Sequence, residues 1–330
     1  MKIEINGYIY HRKLQQSGCS TLQTYDPMWK TILFLLLAII ILPFLAVKFN
    51  EPLSAHQKIV LNRLVILCLA TALLCFLVST ITGNYSQVDK LWSIMPVIYA
   101  WIISFESGFE PRLLLMALLV TVWGIRLTYN FNRRAGYSIR FWDGQEDYRW
   151  GELRRRDEFR PRWKWTLFNL LFISMFQMGL ILLITLPALQ SMNGRPLSWI
   201  DVVLSGLFLA FVLMETFADR QQWAYHKRKK ILKEKGEGLP HRYGKGFLDT
   251  GLWKYMRHPN YTAEQAIWIV FYFFSVAATG QWINWSVMGS ILLVLLFFGS
   301  SNLSESISSR KYSAYSEYQK RVPRFVPFSK

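Results

Sequence analysis

The chain has 330 residues, of which 52% are hydrophobic, 16% aromatic and only 18% charged, whereas a soluble domain usually carries about 25% charged residues. This composition disfavours a soluble protein, and the 14 Trp and 23 Phe residues are typical of a chain that meets lipid and its interfaces. The three cysteines indicate neither a disulfide framework nor a metal set of the CxxC type.

The N-terminal segment is polar, and the first apolar run starts only after Lys30. Because no small-residue cleavage site follows that run, we expect a retained span rather than a signal peptide. The sequence therefore predicts a polar cytoplasmic segment, 1–30, followed by two transmembrane helices within 31–82.

Apolar stretches long enough, or nearly long enough, to cross a bilayer recur along the chain, where roughly 20 residues are needed. The candidate spans are 31–47, 59–82, 91–105, 113–131, 166–189, 198–217, 262–279 and 284–301. The third is the weakest, because it is short and contains Pro96. The predicted fold is an all-α, polytopic membrane bundle of about seven or eight helices.

Charge placement predicts the orientation of this bundle. With eight spans, 32 of the 38 Lys and Arg residues fall on the side of both termini, and four fall on the other. This asymmetry follows the positive-inside rule, so we expect both termini in the cytoplasm, in a bacterial inner membrane or the endoplasmic reticulum. The net charge of +17 then has a membrane explanation, and no separable basic domain indicates nucleic-acid binding.

A polar stripe lies at the inner end of the fourth span. Arg126, Asn130, Arg133 and Arg134 fall along one helix face. Guanidinium groups bind two phosphate oxygens at once, so the stripe favours a phosphate-bearing ligand. The alternative is a set of anchors that reach lipid headgroups.

Two carboxylates lie near the inner end of the sixth span. Glu215 and Asp219 are four residues apart and share a helix face. They are suited to a ribose, a cation or an arginine. An ion pair with the arginine stripe is the structural alternative, and it is compatible with ligand binding.

The stretch GLWKYMRHPNYTAEQ, 251–265, opens an apolar run. Pro259 predicts a helix start there, with Asn260 as a cap. The free N–H groups of that helix end, beside Arg257 and His258, form a suitable phosphate site. Glu264 lies one turn further in. A simple cap with interfacial anchors is the alternative.

Other common sites are not supported. The GEG and GKG runs have no strand–turn–helix unit around them, GLPHRYGKG departs from the phosphate-loop pattern, and no GxSxG elbow occurs. The five His residues are too scattered for a metal site, so none is predicted.

The run GLWKYMRHPNYTAEQ resembles the signature of the steroid 5α-reductase-like membrane reductases. VDKLWSIMPVIYAW, RLTYNFNRRAGYS and the ending SRKYSAYSEYQKRVPRFVPF resemble an uncharacterised branch of the same superfamily. The resemblance covers roughly 85–325 and implies that 83–330 is a steroid-reductase-like membrane domain with a cofactor pocket at the cytoplasmic ends of the last spans.

The resemblance also implies roles for single residues. The family's Asn-aromatic-x-x-Glu falls on Asn260, Tyr261 and Glu264, and the carboxylate and tyrosine of earlier spans have Asp89 and Tyr99 as stand-ins. The predicted catalytic set is Glu264, Tyr99 and Asp89. The predicted cofactor-binding set is Arg126, Asn130, Arg133, Arg134, Asp219, Arg257, His258, Asn260, Tyr261 and Arg324.

We therefore expect an NADPH-dependent reductase of a C=C bond in a lipid-like substrate (a steroid, enone or isoprenoid) that enters from the bilayer. One alternative is a methyltransferase of the isoprenylcysteine carboxyl type, which uses S-adenosylmethionine in a similar architecture. A second alternative is a non-catalytic protein that binds membrane lipid, in which the polar residues are anchors.

Overall fold

A computed structural model describes residues 33, 37–39, 41, 52–140, 142–236 and 238–327, and no strand occurs among them. The helices are α1 (Ala55–Thr82), α2 (Gln87–Leu91), α3 (Met95–Glu106), α4 (Pro111–Asn132), α5 (Tyr148–Arg154), α6 (Arg162–Gln190), α7 (Trp199–Glu234), α8 (His241–Gly244), α9 (Pro259–Thr279), α10 (Val287–Lys311) and α11 (Tyr315–Arg321). The predicted segment 1–30 lies outside the described residues, and the predicted span 31–47 lies almost entirely outside them.

Six of these helices are long and apolar enough to cross a membrane: α1, α4, α6, α7, α9 and α10. The all-α membrane bundle predicted from the sequence is confirmed. The weak third span becomes α3, whose 12 residues extend only about 18 Å, short of a hydrocarbon core of roughly 30 Å. The chain is an integral, multi-pass membrane protein by this architecture.

The helix ends follow local sequence signals. Ser54 and Gln57 form a capping box at the start of α1, and Gly83 ends that helix in the left-handed region with φ 70°. Helix α9 begins at Pro259, as predicted, and ends at Gly280 with φ 78°. The capping residue of α9 is His258, not Asn260, so the capping role predicted for Asn260 is corrected.

Helix α6 contains a π-helical segment, Asn169–Phe176, between two α-helical parts. The wider turn stacks three phenylalanines one above the other: Phe168 and Phe172 lie 5.2 Å apart between ring centroids, and Phe172 and Phe176 lie 5.3 Å apart. Asn169 donates to Ser79 on α1 at 2.9 Å. π-Helical turns occur often at functional sites, and Phe168 and Phe172 line a cavity between the helices.

Helices α6 and α9 are the most buried of the long helices, while α1, α7 and α10 direct many apolar side chains outward. Helix α7 packs along α9, and α6 packs against α1, α3, α9 and α10. Its 36 residues make α7 about 54 Å long, so it extends beyond a bilayer core. The end of the bundle where α4 and α7 finish and α9 begins is called here the cavity end, and the other is called the opposite end.

Candidate functional site

A cavity of about 1250 Å³ lies at the cavity end. It is bounded by the C-terminal parts of α4, α7 and α10, by the beginnings of α6 and α9, and by α2, α5 and α11. Segments separated by more than 200 residues in the sequence therefore meet around one space. Cavities between the helices of a bundle are common ligand sites.

Most of the predicted site residues line this cavity. They are Asp89, Asn130, Arg134, Asp219, Arg257, His258, Asn260, Tyr261 and Glu264. Arg126 does not line it but contacts Glu215 and Asp219, which do. The structure thus brings together motifs that the sequence only placed on separate helices.

Tyr99 lies elsewhere, which corrects its prediction as a catalytic residue of this pocket. It is 0% exposed and does not line the cavity. Met95, Tyr99 and Ile103 repeat every four residues along α3 and are all buried in the apolar core. The same helix face that buries its neighbours therefore buries Tyr99, and its ring belongs to the packing of the bundle.

Arg126 joins the two polar stripes predicted on α4 and α7. Its Nη1 lies 2.6 Å from Glu215 Oε2, in an ion pair without hydrogen-bond geometry, and its Nη2 donates to Asp219. Asn130 donates to Asp219 Oδ2 at 2.7 Å, and the more exposed Arg134 lies 3.8 Å from Oδ1. The ion pair predicted between the stripes is confirmed.

Glu264 is held by two tryptophans. Trp123 donates from its indole nitrogen to Oε2 at 2.8 Å, and Trp268 donates to Oε1 at 3.1 Å. Both rings are 0% exposed and pack edge to face at 4.9 Å. Trp268 lies one turn after Glu264 on α9, whereas Trp123 lies 141 residues away in sequence, and nothing in the sequence pattern pointed to it. The two indoles, which are neutral donors, fix the orientation of the carboxyl group.

Two amide side chains present acceptors to the cavity. Asn130 and Asn260 both donate to Asp219, at 2.7 and 3.4 Å. Their Oδ1 atoms are buried and have no hydrogen-bond partner among the described residues. Gln222 Oε1 is in the same condition while its nitrogen contacts His226. Buried polar atoms are normally paired, so these oxygens are available to a ligand.

Arg257 and His258, predicted to face phosphate, instead surround Glu305 of α10. Arg257 Nε donates to Glu305 at 2.7 Å, His258 Nε2 lies 2.8 Å from the same oxygen, and Gln319 donates to the other at 2.8 Å. Arg324 stands 3.7 Å away. The sequence did not indicate Glu305. Two guanidinium groups, an imidazole and an amide around one carboxylate thus fasten the C-terminal tail to the start of α9.

The backbone continues this attachment. The amide nitrogen of Arg257 donates to the carbonyl of Pro323 at 2.9 Å, and that of His258 donates to Arg324 at 3.1 Å. The Arg257 guanidinium also donates to the carbonyls of Gln319 and Val322. With its donors used in this way, Arg257 has a mainly structural geometry, whereas Arg134 and Lys311 are more exposed cations of the cavity lining.

Arg133 lies outside the cavity lining and stacks its guanidinium over the Trp223 ring at 5.2 Å. Its Nε has no hydrogen-bond partner among the described residues. Burial lowers the pKa of Arg133, although Asp219 acts in the opposite direction. The contact fixes a cation beside Trp223, which does line the cavity.

A second acidic centre faces the cavity from α2 and α5. Asp89 accepts from the indole nitrogen of Trp150 at 2.9 Å. Burial raises the pKa of Asp89, and the neighbouring Asp147 carboxylate raises it further. Although burial also raises the pKa of Asp147, the bidentate contact with Arg149 holds it below its usual range. The surroundings therefore shift the pKa values of the two neighbouring carboxyl groups in opposite directions, that of Asp89 upwards and that of Asp147 downwards.

The remaining wall is apolar and aromatic. Phe168 and Phe172 of α6 and Leu296 and Phe297 of α10 line it. Tyr261 joins this wall to the polar one, because its ring lies 4.7 Å from that of Phe297 and stacks on His258 at 5.1 Å. One space thus has a polar, hydrogen-bonding side and an apolar side.

Comparison with known proteins gives a family for this architecture. Residues 75–322 match the family described as a protein of unknown function, DUF1295. The chain is also similar to an uncharacterised protein of Schizosaccharomyces pombe, with 37% identity over 264 residues that cover 76% of this chain and 74% of the relative. No solved structure matches the chain. On the extent of these matches, the chain belongs to the DUF1295 family.

Proposed function

We propose that this protein is a membrane-embedded, NADPH-dependent reductase of a C=C bond in a lipid-like substrate, and that it belongs to the steroid 5α-reductase-like superfamily that its motifs resemble. The observation that carries the proposal is the division of the cavity. Its polar wall has carboxylates and free amide oxygens, and its other wall is aromatic. A cofactor and an apolar substrate need such contrasting surroundings side by side.

The size of the cavity supports two ligands. Its volume of about 1250 Å³ exceeds the roughly 300–1,000 Å³ of a site for one drug-sized molecule. A dinucleotide along the polar wall leaves the aromatic wall of α6 and α10 for a steroid, enone or isoprenoid. Because the lining helices are membrane helices, such a substrate reaches the site from the bilayer.

The chemistry assigned to the chain is positioning and proton delivery. Bound NADPH would supply a hydride to the β-carbon of a polarised alkene. Asp89, whose pKa is raised by burial and by the neighbouring Asp147, would donate a proton to the enolate left on the substrate. The hydride and the proton together saturate the double bond, and Asp89 regains its proton from solvent.

The orientation of the bundle fits this assignment. The loops and tail at the cavity end carry most of the Lys and Arg residues, whereas Arg112 and Arg195 lie at the opposite end. By the positive-inside rule we place the cavity end in the cytoplasm. The host membrane, inner membrane or endoplasmic reticulum, follows from the organism.

Methyl transfer from S-adenosylmethionine is the second candidate, and the charge of the lining favours it. The described lining residues include six carboxylates and five Lys or Arg residues, namely Asp89, Asp147, Glu152, Glu215, Asp219 and Glu264 against Arg134, Arg149, Arg156, Arg257 and Lys311. A strongly anionic cofactor gains less from this balance than from an arginine-rich pocket. NADPH remains the first candidate because Arg134 and Lys311, the exposed cations at the rim of the cavity, are suited to its phosphate groups.

The deciding experiment is a thermal-shift titration of the purified protein in detergent with NADPH, NADH and S-adenosylmethionine. A ligand at about 100 times its dissociation constant adds roughly 2.7 kcal/mol of stability. Stabilisation by NADPH that is lost in Asn260→Ala supports the reductase. Stabilisation by S-adenosylmethionine alone moves the assignment to methyl transfer, and no response to any of the three favours the non-catalytic, lipid-binding alternative.

A further inference from the structure

We propose that the carboxylates of Glu215, Asp219 and Glu264 form a binding site for a positively charged centre of the cofactor. Two cofactor groups have this chemistry: the cationic nicotinamide ring of NADP⁺ and the sulfonium of S-adenosylmethionine. The proposal rests on the proposed function only in that a nucleotide cofactor occupies the cavity.

The charge balance of the cluster carries the first step. Glu215, Asp219 and Glu264 are 5%, 4% and 4% exposed. Among the described residues, the largely buried Arg126, whose side chain is 11% exposed, pairs with Glu215 and Asp219, and the half-exposed Arg134 approaches Asp219 to 3.8 Å. Ionising all three acids beside this one guanidinium would leave an imbalance of negative charge, which away from water is costly unless a positively charged partner compensates it.

The other contacts of the cluster leave that imbalance in place. Glu264 accepts from two indoles, and Asp219 accepts from two amides. These neutral donors orient the carboxyl groups without adding positive charge. Together with Arg126 they hold the three acids in fixed positions at the cavity wall.

An unpartnered acceptor supplies an independent indication of a ligand. Asn130 is only 9% exposed and lines the cavity, yet its Oδ1 has no hydrogen-bond partner among the described residues. Asn260 Oδ1 is in the same condition. Both amides turn their nitrogens to Asp219 and leave oxygens for the ligand. A group that is positively charged or carries N–H donors satisfies the acids and the amides together.

The chemical consequence would differ between the two cofactors. A bound nicotinamide ring would gain positive charge on giving up a hydride, and Glu215, Asp219 and Glu264 would then stabilise the transition state when ionised. A bound sulfonium would be positive before methyl transfer, and the same acids would favour binding of the methyl donor over its neutral thioether product.

Two matched pairs of ligands test this proposal: NADP⁺ against NADPH, and S-adenosylmethionine against S-adenosylhomocysteine. Dissociation constants are measured by calorimetry on the full-length protein in detergent. The cationic member of the pair that binds should bind about tenfold more tightly, as expected for a charge a few ångströms from unbalanced carboxylates. The ratio should fall towards one in Glu264→Gln and in Glu215→Gln, and should stay unchanged in Glu317→Gln, whose side chain is 75% exposed on α11.

The two ligand pairs distinguish failure of this proposal from failure of the proposed reductase function. Discrimination within the S-adenosyl pair, with no binding of NADP(H), rejects the reductase and supports the charge site. Equal affinities of NADP⁺ and NADPH leave the reductase standing and overturn the charge site, since the carboxyl groups then hold protons instead. Absence of binding by either pair also overturns it. The ratio in the wild-type protein decides these outcomes even if a variant fails to fold.

Discussion

An arginine lies near each end of helix α4, and the surroundings of the two arginines differ. At the opposite end, Arg112 donates to both oxygens of Asp201, at 2.7 and 2.9 Å, and to the carbonyls of Arg195 and Pro196. One guanidinium meets one carboxylate, and every contact is internal. At the cavity end, Arg126 forms ion pairs with Glu215 and Asp219 and also interacts electrostatically with Glu264.

Two asparagines, the buried Asn284 and the partly buried Asn260, show the same difference. Asn284, at the opposite end, donates to Ser275 at 3.0 Å and accepts from the backbone and the hydroxyl of Ser286. Asn260, at the cavity end, makes one long contact and leaves its oxygen unpaired. The comparison separates polar groups whose hydrogen bonds are satisfied within the fold from polar groups whose acceptors are unpaired among the described residues. Stability should depend on the opposite end and ligand binding on the cavity end.

The largest effect on stability is expected at Arg112. Arg112→Met leaves the carboxylate of Asp201, which is 0% exposed, without its partner, and breaking a buried pair costs about 3–5 kcal/mol. The free energy of unfolding is measured by SDS titration in mixed micelles. Cofactor affinity of the folded fraction should not change.

A matched double variant tests the reason for that loss. Asp201 also accepts from the backbone of Ser198 in the capping box of α7. Asparagine keeps that cap, so Arg112→Met/Asp201→Asn should recover much of the stability lost in the single variant. A double variant as unstable as the single one would show that packing of the Arg112 side chain, and not the unpaired charge, sets the cost.

The next effect is on turnover and belongs to Asp89. Asp89→Asn removes the proton donor, and the rate should fall about 100-fold, as is usual for general acid catalysis, while NADPH affinity stays the same. In the wild-type protein, activity should fall as pH rises through the raised pKa of Asp89. Asp157→Asn, at a carboxylate 85% exposed, is the control. If Asp89→Asn keeps the wild-type rate and still loses activity as pH rises, Asp89 is not the proton donor.

The same substitution has a stability consequence with a definite sign. Because the pKa of Asp89 is raised in the folded protein, folding favours its protonated form, and wild-type stability declines as pH rises from the unfolded pKa through the folded one. Asp89→Asn lacks this decline. The variant should therefore gain stability relative to wild type with rising pH, in the same SDS titration.

The two asparagines give the third prediction. Asn260→Ala should weaken cofactor binding about tenfold and change the free energy of unfolding by less than about 1 kcal/mol, because a single long hydrogen bond is lost. Asn284→Ala should do the reverse, with a stability loss of about 1–3 kcal/mol from the unsatisfied groups it leaves and no change in affinity. If both variants lose only stability, the cavity-end amide is structural too.

How much of the fold and of the candidate site could be predicted depends on how far apart in the sequence the contacting residues lie. Spacing on one helix placed Glu215 and Asp219 on a shared face and gave the start of α9 at Pro259. The predicted span 198–217 ended where apolar residues end, but α7 runs to Glu234 because Lys, Arg, Glu and Gln are good helix formers. That extension carries Gln222 to the cavity wall.

Partners on different helices could not be read in this way. Glu305 lies 48 residues beyond Arg257, and periodicity carries no information on which faces of α9 and α10 meet. The rotation of the 12-residue helix α3 about its axis could not be predicted either, so the packing of Tyr99 into the core was not foreseen. Asp89, on the five-residue helix α2, does line the cavity. The sequence thus identified the segments of the site, and the packing selected the residues.

The smallest effect is expected at a third ion pair, Arg63 with Glu106, which lies at the same end as Arg112. The Arg63 side chain is 60% exposed, so its long stem lets the guanidinium reach the polar boundary of the bilayer. The Arg63 charge is solvated with or without the pair, and Glu106, whose side chain is 19% exposed, still has His56 at 3.7 Å. Arg63→Ala should therefore cost less than about 1 kcal/mol. The SDS titration compares it directly with Arg112→Met. A loss as large as that of Arg112→Met would mean that Arg63 is shielded from water at the surface of α1. Burial within the bundle would then not explain the difference between the Arg63–Glu106 and Arg112–Asp201 pairs. A small loss makes burial, rather than position at this end, the reason that Arg112 matters to the fold.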